Sequence, residues 1–116
     1  MTITVYGIPN CDTVKKARAW LHDQGVACTF HDYKKQGVPL PQLDAWIQSV
    51  GWEALLNRKG TTWRQLDAAQ QAAVNDAASA RALMLAQPSV IKRPVVEHPG
   101  GVLVGFDAVA WGRALG

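Results

Sequence analysis

The chain is short of cysteine, short of charge of either sign and without long apolar runs, and each shortage closes off a class of protein. It has 2 cysteines in 116 residues, too few for a disulfide framework, which points to a reducing, cytoplasmic setting. No apolar stretch approaches the roughly 20 residues that a membrane-spanning helix needs. The N-terminal apolar run lacks a basic leader and is cut by Gly7 and Pro9, so neither a secretion signal nor a membrane partner is expected. Lys and Arg number 12 against 9 Asp and Glu, a net charge of +3. These charges form no basic run and do not interleave with aromatics, which argues against nucleic acid and fits a small anionic ligand. His22, His31 and His98 have no metal-ligand spacing, so no metal and no bound cofactor is expected. No C-x-x-C pair is present, because the residue three after Cys11 is Val14.

What remains is a globular composition, 48% hydrophobic and 18% charged, and a length suited to one domain over 1–116 with its own core. Residues 2–6 predict a strand, broken by Gly7 and Pro9. Residues 11–24 predict a helix with Val14, Ala17, Trp20 and Leu21 on one face, Lys15, Lys16, Arg18, His22 and Asp23 outward, and Gly25 as a left-handed cap. Residues 26–33 predict a second strand. A strand–helix–strand unit joined this tightly implies a parallel pair with a right-handed crossover.

A helical block follows, over 36–88. Pro39–Val50 reads as a helix with Leu40, Leu43, Trp46, Ile47 and Val50 as its stripe, ended by Gly51. A short turn over 52–56, a loop at Asn57-Arg58-Lys59-Gly60, a turn over 63–66 and alanine-rich helices over 67–74 and 79–86 complete it. The five tryptophans read as packing. Residues 90–97 return to strand character. Pro94 would be awkward there as a trans residue, and a cis bond after Arg93 would resolve this. Pro99-Gly100-Gly101 is a hairpin turn, 102–104 its second strand, and Asp107 caps a last helix ending near Gly116.

Cys11 stands where the first strand hands over to the first helix. With Asn10 as N-cap it falls on the first helical residue. There, unpaired backbone N–H groups and the helix dipole favour thiolate, the form that attacks disulfides and electrophilic oxyanions. Lys15 and Lys16 push the same way and Asp12 pushes back. The competing reading is a small buried apolar residue. Cys28, early in the second strand, is expected beyond disulfide reach of Cys11.

The β-α-β, helical block, β-β-α order with a cysteine at the first helix start resembles the thioredoxin fold. The block between strands two and three resembles the insert of the ArsC/Spx/YffB family. The resemblance rests on Tyr6-Gly7-Ile8-Pro9-Asn10-Cys11, Asn57-Arg58-Lys59-Gly60, Arg93-Pro94-Val95-Val96 and Val104-Gly105-Phe106, and the wording of residues 10–17 is most similar to the YffB branch. It implies an α/β, thioredoxin-like fold with a four-stranded mixed sheet and a helical insert over 36–88.

The resemblance also implies Cys11 as the nucleophile and Arg93 and Arg58 as anion-binding residues. Guanidinium suits that role through its planar, bidentate geometry. Lys15 adds a cation within a turn of the cysteine. Pro94 marks a strand end whose backbone could pair with a peptide-like thiol. The function implied is a glutathione-dependent thiol reductase working through a mixed disulfide, with glutathione as co-substrate and glutaredoxin as a further partner. Two alternatives accompany it: an arsenate reductase linked to glutathione and glutaredoxin, and an Spx-like regulator that binds RNA polymerase. Gly7, Val14 and Phe106 stand where arsenate-reducing members carry a histidine, a hydroxyl residue and a third arginine, which argues against arsenate. Gly51 resembles a glycine at the regulator branch's polymerase contact, but the helix C-cap is the preferred reading.

Overall fold

A computed structural model describes residues 3–115. The strands are β1 (Thr4–Gly7), β2 (Thr29–Asp32), β3 (Val95–His98) and β4 (Gly101–Val104). The helices are α1 (Asp12–Asp23), α2 (Tyr33–Gln36), α3 (Leu40–Val50), α4 (Trp52–Leu55), α5 (Thr61–Gln65), α6 (Ala68–Ala72), α7 (Ala77–Ala86) and α8 (Ala108–Leu115), with a 3-10 turn at Pro88–Val90 before β3. The chain divides into two compact units, one running to Gly37 and resuming at Arg93, the other Val38–Lys92.

The first unit is built on one sheet of order β2-β1-β3-β4. β1 pairs parallel with β2 and antiparallel with β3, and β3 pairs antiparallel with β4. Strand alternation sends Val5 and Val96 to one face, where they pack with Ala17, Leu21 and Trp111. Val14, Ala17 and Leu21 of α1 are fully buried, as their spacing predicts. α1 ends as expected at Gly25, whose φ is +69°. The Gly25 and Val26 N–H groups donate back to His22 and Leu21 at 3.0 and 2.9 Å, closing a Schellman motif. Asp107 caps α8 by accepting from the Val109 and Ala110 N–H groups.

Several boundaries differ from the sequence reading. Gly7 is the last residue of β1 rather than its breaker. β2 begins only at Thr29, because Val26 is occupied in closing α1. It stops at Asp32, whose carboxylate accepts from the Lys34 N–H at 2.8 Å and turns Tyr33 into the short α2. β3 begins at Val95 rather than Val90: Val90 ends the 3-10 turn, Ile91 forms an isolated bridge with Leu56, and the Arg93–Pro94 bond is cis, as expected. Thr2, the expected strand start, and Gly116, the expected helix end, lie outside the described residues.

The second unit is helical. It buries Leu43, Trp46, Leu55, Leu56, Ala80, Met84, Val90 and Ile91. Leu40, expected in the α3 stripe, is 46% exposed because it occupies the first helical position, off the end of the packed face. Gly51, at φ +85°, ends α3 with its N–H on the Ile47 carbonyl, the C-cap role. Reciprocal capping boxes, Asp67 with Gln70 and Asp76 with Ser79, set the starts of α6 and α7. The second box moves the α7 start from the expected residue 79 to Ala77. Among the described residues no helix is long and apolar enough to cross a membrane.

Candidate active site

Cys11, not Asn10, is the N-cap of α1. Its dihedrals are extended, φ −114° and ψ 124°. Its carbonyl already takes the first helical bond, from the Lys15 N–H at 2.9 Å. That is the geometry of an N-cap, whose side chain faces the N–H groups two and three residues on. The neutral thiol, a weak acceptor, closes no cap of standard geometry. The thiolate is the stronger acceptor, and the N–H groups of Val14 and Thr13 favour it.

Arg93 completes the environment. Val95 stands opposite Tyr6 in the antiparallel β1–β3 register, so counting back two residues brings Arg93 past the end of β1 that leads to Cys11. Partial burial pushes the thiol up. The Val14 N–H, the charge of Arg93, a hydrogen bond from Arg93 and the Thr13 N–H together outweigh that, and the thiol lies below the usual cysteine value. The cation named here is Arg93, where the sequence reading looked to Lys15 and Lys16.

This sets a pH prediction. Only thiolate is alkylated, so the rate at Cys11 should rise with pH to a midpoint below that of an unstructured cysteine. Arg93→Ala should move the midpoint upward and slow the reaction several-fold at neutral pH, with Arg93→Lys in between. Iodoacetamide labelling mapped to the Cys11 peptide reads this. An unchanged midpoint in Arg93→Ala would remove Arg93 from the site.

The opposite face of the sheet from Val5 carries polar groups. Tyr6 donates its hydroxyl to Glu97 Oε1 at 2.6 Å. Its ring lies 5.0 Å from that of His31, its register partner on β2, and His31 lies 6.1 Å from Tyr33. His31 Nε2 meets the Gly37 carbonyl at 2.8 Å, so that nitrogen carries the proton. Burial, then the hydrogen bond and charge of Glu97, raise the Tyr6 hydroxyl well above its usual value. Burial raises Tyr33 as well, with Tyr6 and Glu97 adding to it and Arg93 opposing. Arg93 therefore acts on both Cys11 and Tyr33. A period-two alternation starting from Val5 is the one local signal that could have placed Tyr6 off the core face.

Tyr33 is only 5% exposed, and its buried hydroxyl has no hydrogen-bond partner among the described residues. A stranded buried hydroxyl costs about 1–3 kcal/mol. Tyr33→Phe keeps the ring and removes that penalty. It should raise stability by about 1 kcal/mol in urea unfolding, and a fall of that size would contradict the orphaned hydroxyl.

The other expected site residues are placed as follows. Pro94 is buried next to Arg93, and its carbonyl already accepts from the Gly105 N–H at 2.8 Å. Lys15 lines a groove with Arg18, His22 and Cys28. Arg58 belongs to the second unit, its guanidinium 5.8 Å from the Trp52 ring and 6.0 Å from the Trp63 ring. Among the described residues no group of three or more potential metal ligands occurs.

Two of the three departures from the arsenate-reducing pattern are physically linked. A Cβ at Gly7 would stand 2.9 Å from Val14 Cγ2. Val14 is fully buried and branched at Cβ, so it cannot swing aside. A side chain at position 7 therefore requires a smaller residue at 14. Phe106 is spent on packing, with its ring 4.9 Å from Trp111 and 6.3 Å from Trp20.

Comparison with known proteins gives one answer throughout. The sequence model of the ArsC family matches residues 6–114. A solved structure of a protein named YffB superposes with a TM-score of 0.92 at 53% identity, covering 98% of this chain and 99% of that one. An uncharacterised protein of Haemophilus influenzae is 42% identical over 105 residues, 90% of this chain and 91% of the relative. An arsenate reductase of Rhizobium meliloti is 28% identical over 103 residues, 87% of this chain and 72% of the relative. The thioredoxin-like architecture inferred from element order is the one these relatives share. Since the family match begins inside β1 and runs into α8, the chain belongs to the ArsC family.

Proposed function

We propose that the protein is a thiol–disulfide oxidoreductase that uses Cys11 as nucleophile and glutathione as the external thiol. One observation carries this reading: Cys11 is held toward thiolate by the start of α1 and by Arg93, while the position of a C-x-x-C partner is the buried Val14. Such a site makes a mixed disulfide readily and depends on a second molecule to resolve it.

The Cys11 thiolate attacks the glutathione sulfur of a glutathione-linked disulfide. The S–S bond breaks, the substrate leaves as a thiolate and takes a proton from solvent, and glutathione stays on Cys11. The thiolate of a second glutathione then attacks the glutathione sulfur of this adduct, releasing oxidised glutathione and restoring the Cys11 thiolate. Overall, the glutathione-linked disulfide and one reduced glutathione give the substrate thiol and oxidised glutathione, and the second glutathione is the thiol that is oxidised. Arg93 would orient a glutathione carboxylate, with Lys15 as a further candidate for anion contact. Glutaredoxin could replace the second glutathione. Both cysteines are free, which suits a reducing cytoplasm.

The relation to an arsenate reductase extends an arsenate reading to this chain. The Gly7–Val14 packing and the edge-on packing of Phe106 oppose it, because positioned donors around a developing oxyanion are each worth about 10²–10³ in rate. The test is incubation with oxidised glutathione. One glutathione should appear on the Cys11 peptide, be removed by reduced glutathione, and accompany turnover of a glutathione-linked disulfide, with weak or no arsenate reduction. Robust arsenate turnover would reverse the substrate assignment. Absence of both adduct and turnover would favour the regulator reading, checked by capture of RNA polymerase subunits.

A further inference from the structure

Apart from the Cys11 site, the first unit carries a groove of about 520 Å³ lined by Lys15, Arg18, Ala19, His22, Val26 and Cys28. One wall is helical. Lys15, Arg18 and His22 are spaced by three and four residues, so all three project from one side of α1. The other wall is the chain leading into the edge strand β2, which contributes Val26 and Cys28. The Arg18 guanidinium is held 4.2 Å over the ring of Phe30 in β2. Cys28 is free and exposed. No carboxylate is among the lining residues. Lys15, Arg18 and His22 therefore share the groove with an exposed thiol.

This thiol is not a resolving partner for Cys11. The Thr29 N–H donates to the Ile3 carbonyl, so Cys28 enters beside the start of β1, whereas Cys11 follows its far end. The four-residue strands between them span about 13 Å, well beyond the roughly 4.4–6.8 Å Cα separation of a disulfide.

We propose that this groove is a second thiol-exchange site, at which Cys28 accepts half of a small disulfide bearing carboxylates. The Cys28 thiolate attacks one sulfur of the disulfide and the reagent's S–S bond breaks. The departing half leaves as a thiolate and is protonated by solvent, and Cys28 is oxidised to a mixed disulfide. Excess thiol reverses the step. The carboxylates of the retained half lie against Lys15 and Arg18. The inference is independent of the chemistry assigned to Cys11.

The test compares two disulfides on the Cys11→Ser protein, oxidised glutathione as the anionic probe and cystamine as the cationic one, with adduct formation followed by intact mass. Oxidised glutathione should modify Cys28 about tenfold faster, as charge focusing in a like-signed cleft predicts. The preference should shrink in high salt and disappear or invert in Lys15→Glu/Arg18→Glu. Both side chains are exposed, so these changes leave the core intact. Mapping the modified peptides of the wild-type protein reads Cys28 separately from Cys11. Equal rates for the two probes, or a preference unaffected by the double charge reversal, would overturn the proposal. Failure at Cys11 with success at Cys28 would count against the proposed function alone.

Discussion

Cys11→Ser is expected to remove the disulfide-reducing activity by a factor on the order of 10³ or more. A serine hydroxyl at this position cannot ionise at neutral pH, and it cannot form the sulfur–sulfur bond on which both half-reactions depend. The same substitution should leave the fold as stable as before, or more so. Serine is among the preferred N-cap residues, and its oxygen accepts from the N–H groups that Thr13 and Val14 direct toward position 11. An inactive enzyme with an unchanged or raised melting temperature separates loss of the nucleophile from loss of structure. Turnover of a glutathione-linked disulfide, run beside thermal unfolding, reads both. Retention of more than a tenth of the activity would move the chemistry away from Cys11.

The second large effect is structural. Trp111 is 1% exposed, and its ring meets Trp20 and Phe106 edge-on at 5.9 and 4.9 Å. Its Nε1–H donates to the Gly105 carbonyl at 3.1 Å. The Gly105 N–H in turn holds the Pro94 carbonyl. Trp111→Ala should cost about 3–5 kcal/mol, from lost apolar burial and the cavity left behind. That is a third or more of the total for many domains, which lies at about 5–15 kcal/mol. Trp111→Phe keeps most of the burial and loses the hydrogen bond, and should cost less than half as much. Urea unfolding of the two variants tests this, and a loss below about 1 kcal/mol for Trp111→Ala would contradict the packing described. Because the Gly105 turn holds Pro94, and Arg93 precedes Pro94, the alanine variant should also raise the Cys11 midpoint.

The elements that the sequence determined alone are those whose signals are local. In α1, the burial of Val14, Ala17 and Leu21 follows from 3.6-residue spacing, and the stop at Gly25 from the one residue that adopts positive φ without strain. The hairpin at Pro99–Gly101 and the Asp107 cap are likewise readable within a few residues. Strand character around Pro94 raises a cis bond as one resolution, and the resemblance to the family's element order supplies the rest. Arg93 was reached through family resemblance: nothing in its own neighbours says what lies across the sheet. The cap of α1 slipped by one residue because Asn10 and Cys11 are both compatible with capping, and the path of the chain out of β1 decides between them.

Tertiary structure decided the rest. Val90 and Ile91 have strand propensity, yet they close a turn and a bridge to Leu56, a partner 35 residues earlier in the sequence by their numbers. The Tyr6–Glu97 bond joins residues 91 positions apart, and the pull of Arg93 on both Cys11 and Tyr33 depends on that same β1–β3 register. The spacing of Lys15, Arg18 and His22 is visible on a helical wheel, but the Val26–Cys28 wall facing them is not. A side chain's own sequence sets its backbone preference and the face it occupies. Which charges and thiols it meets is set by strand register and helix packing, and those are fixed by burial summed over the whole core.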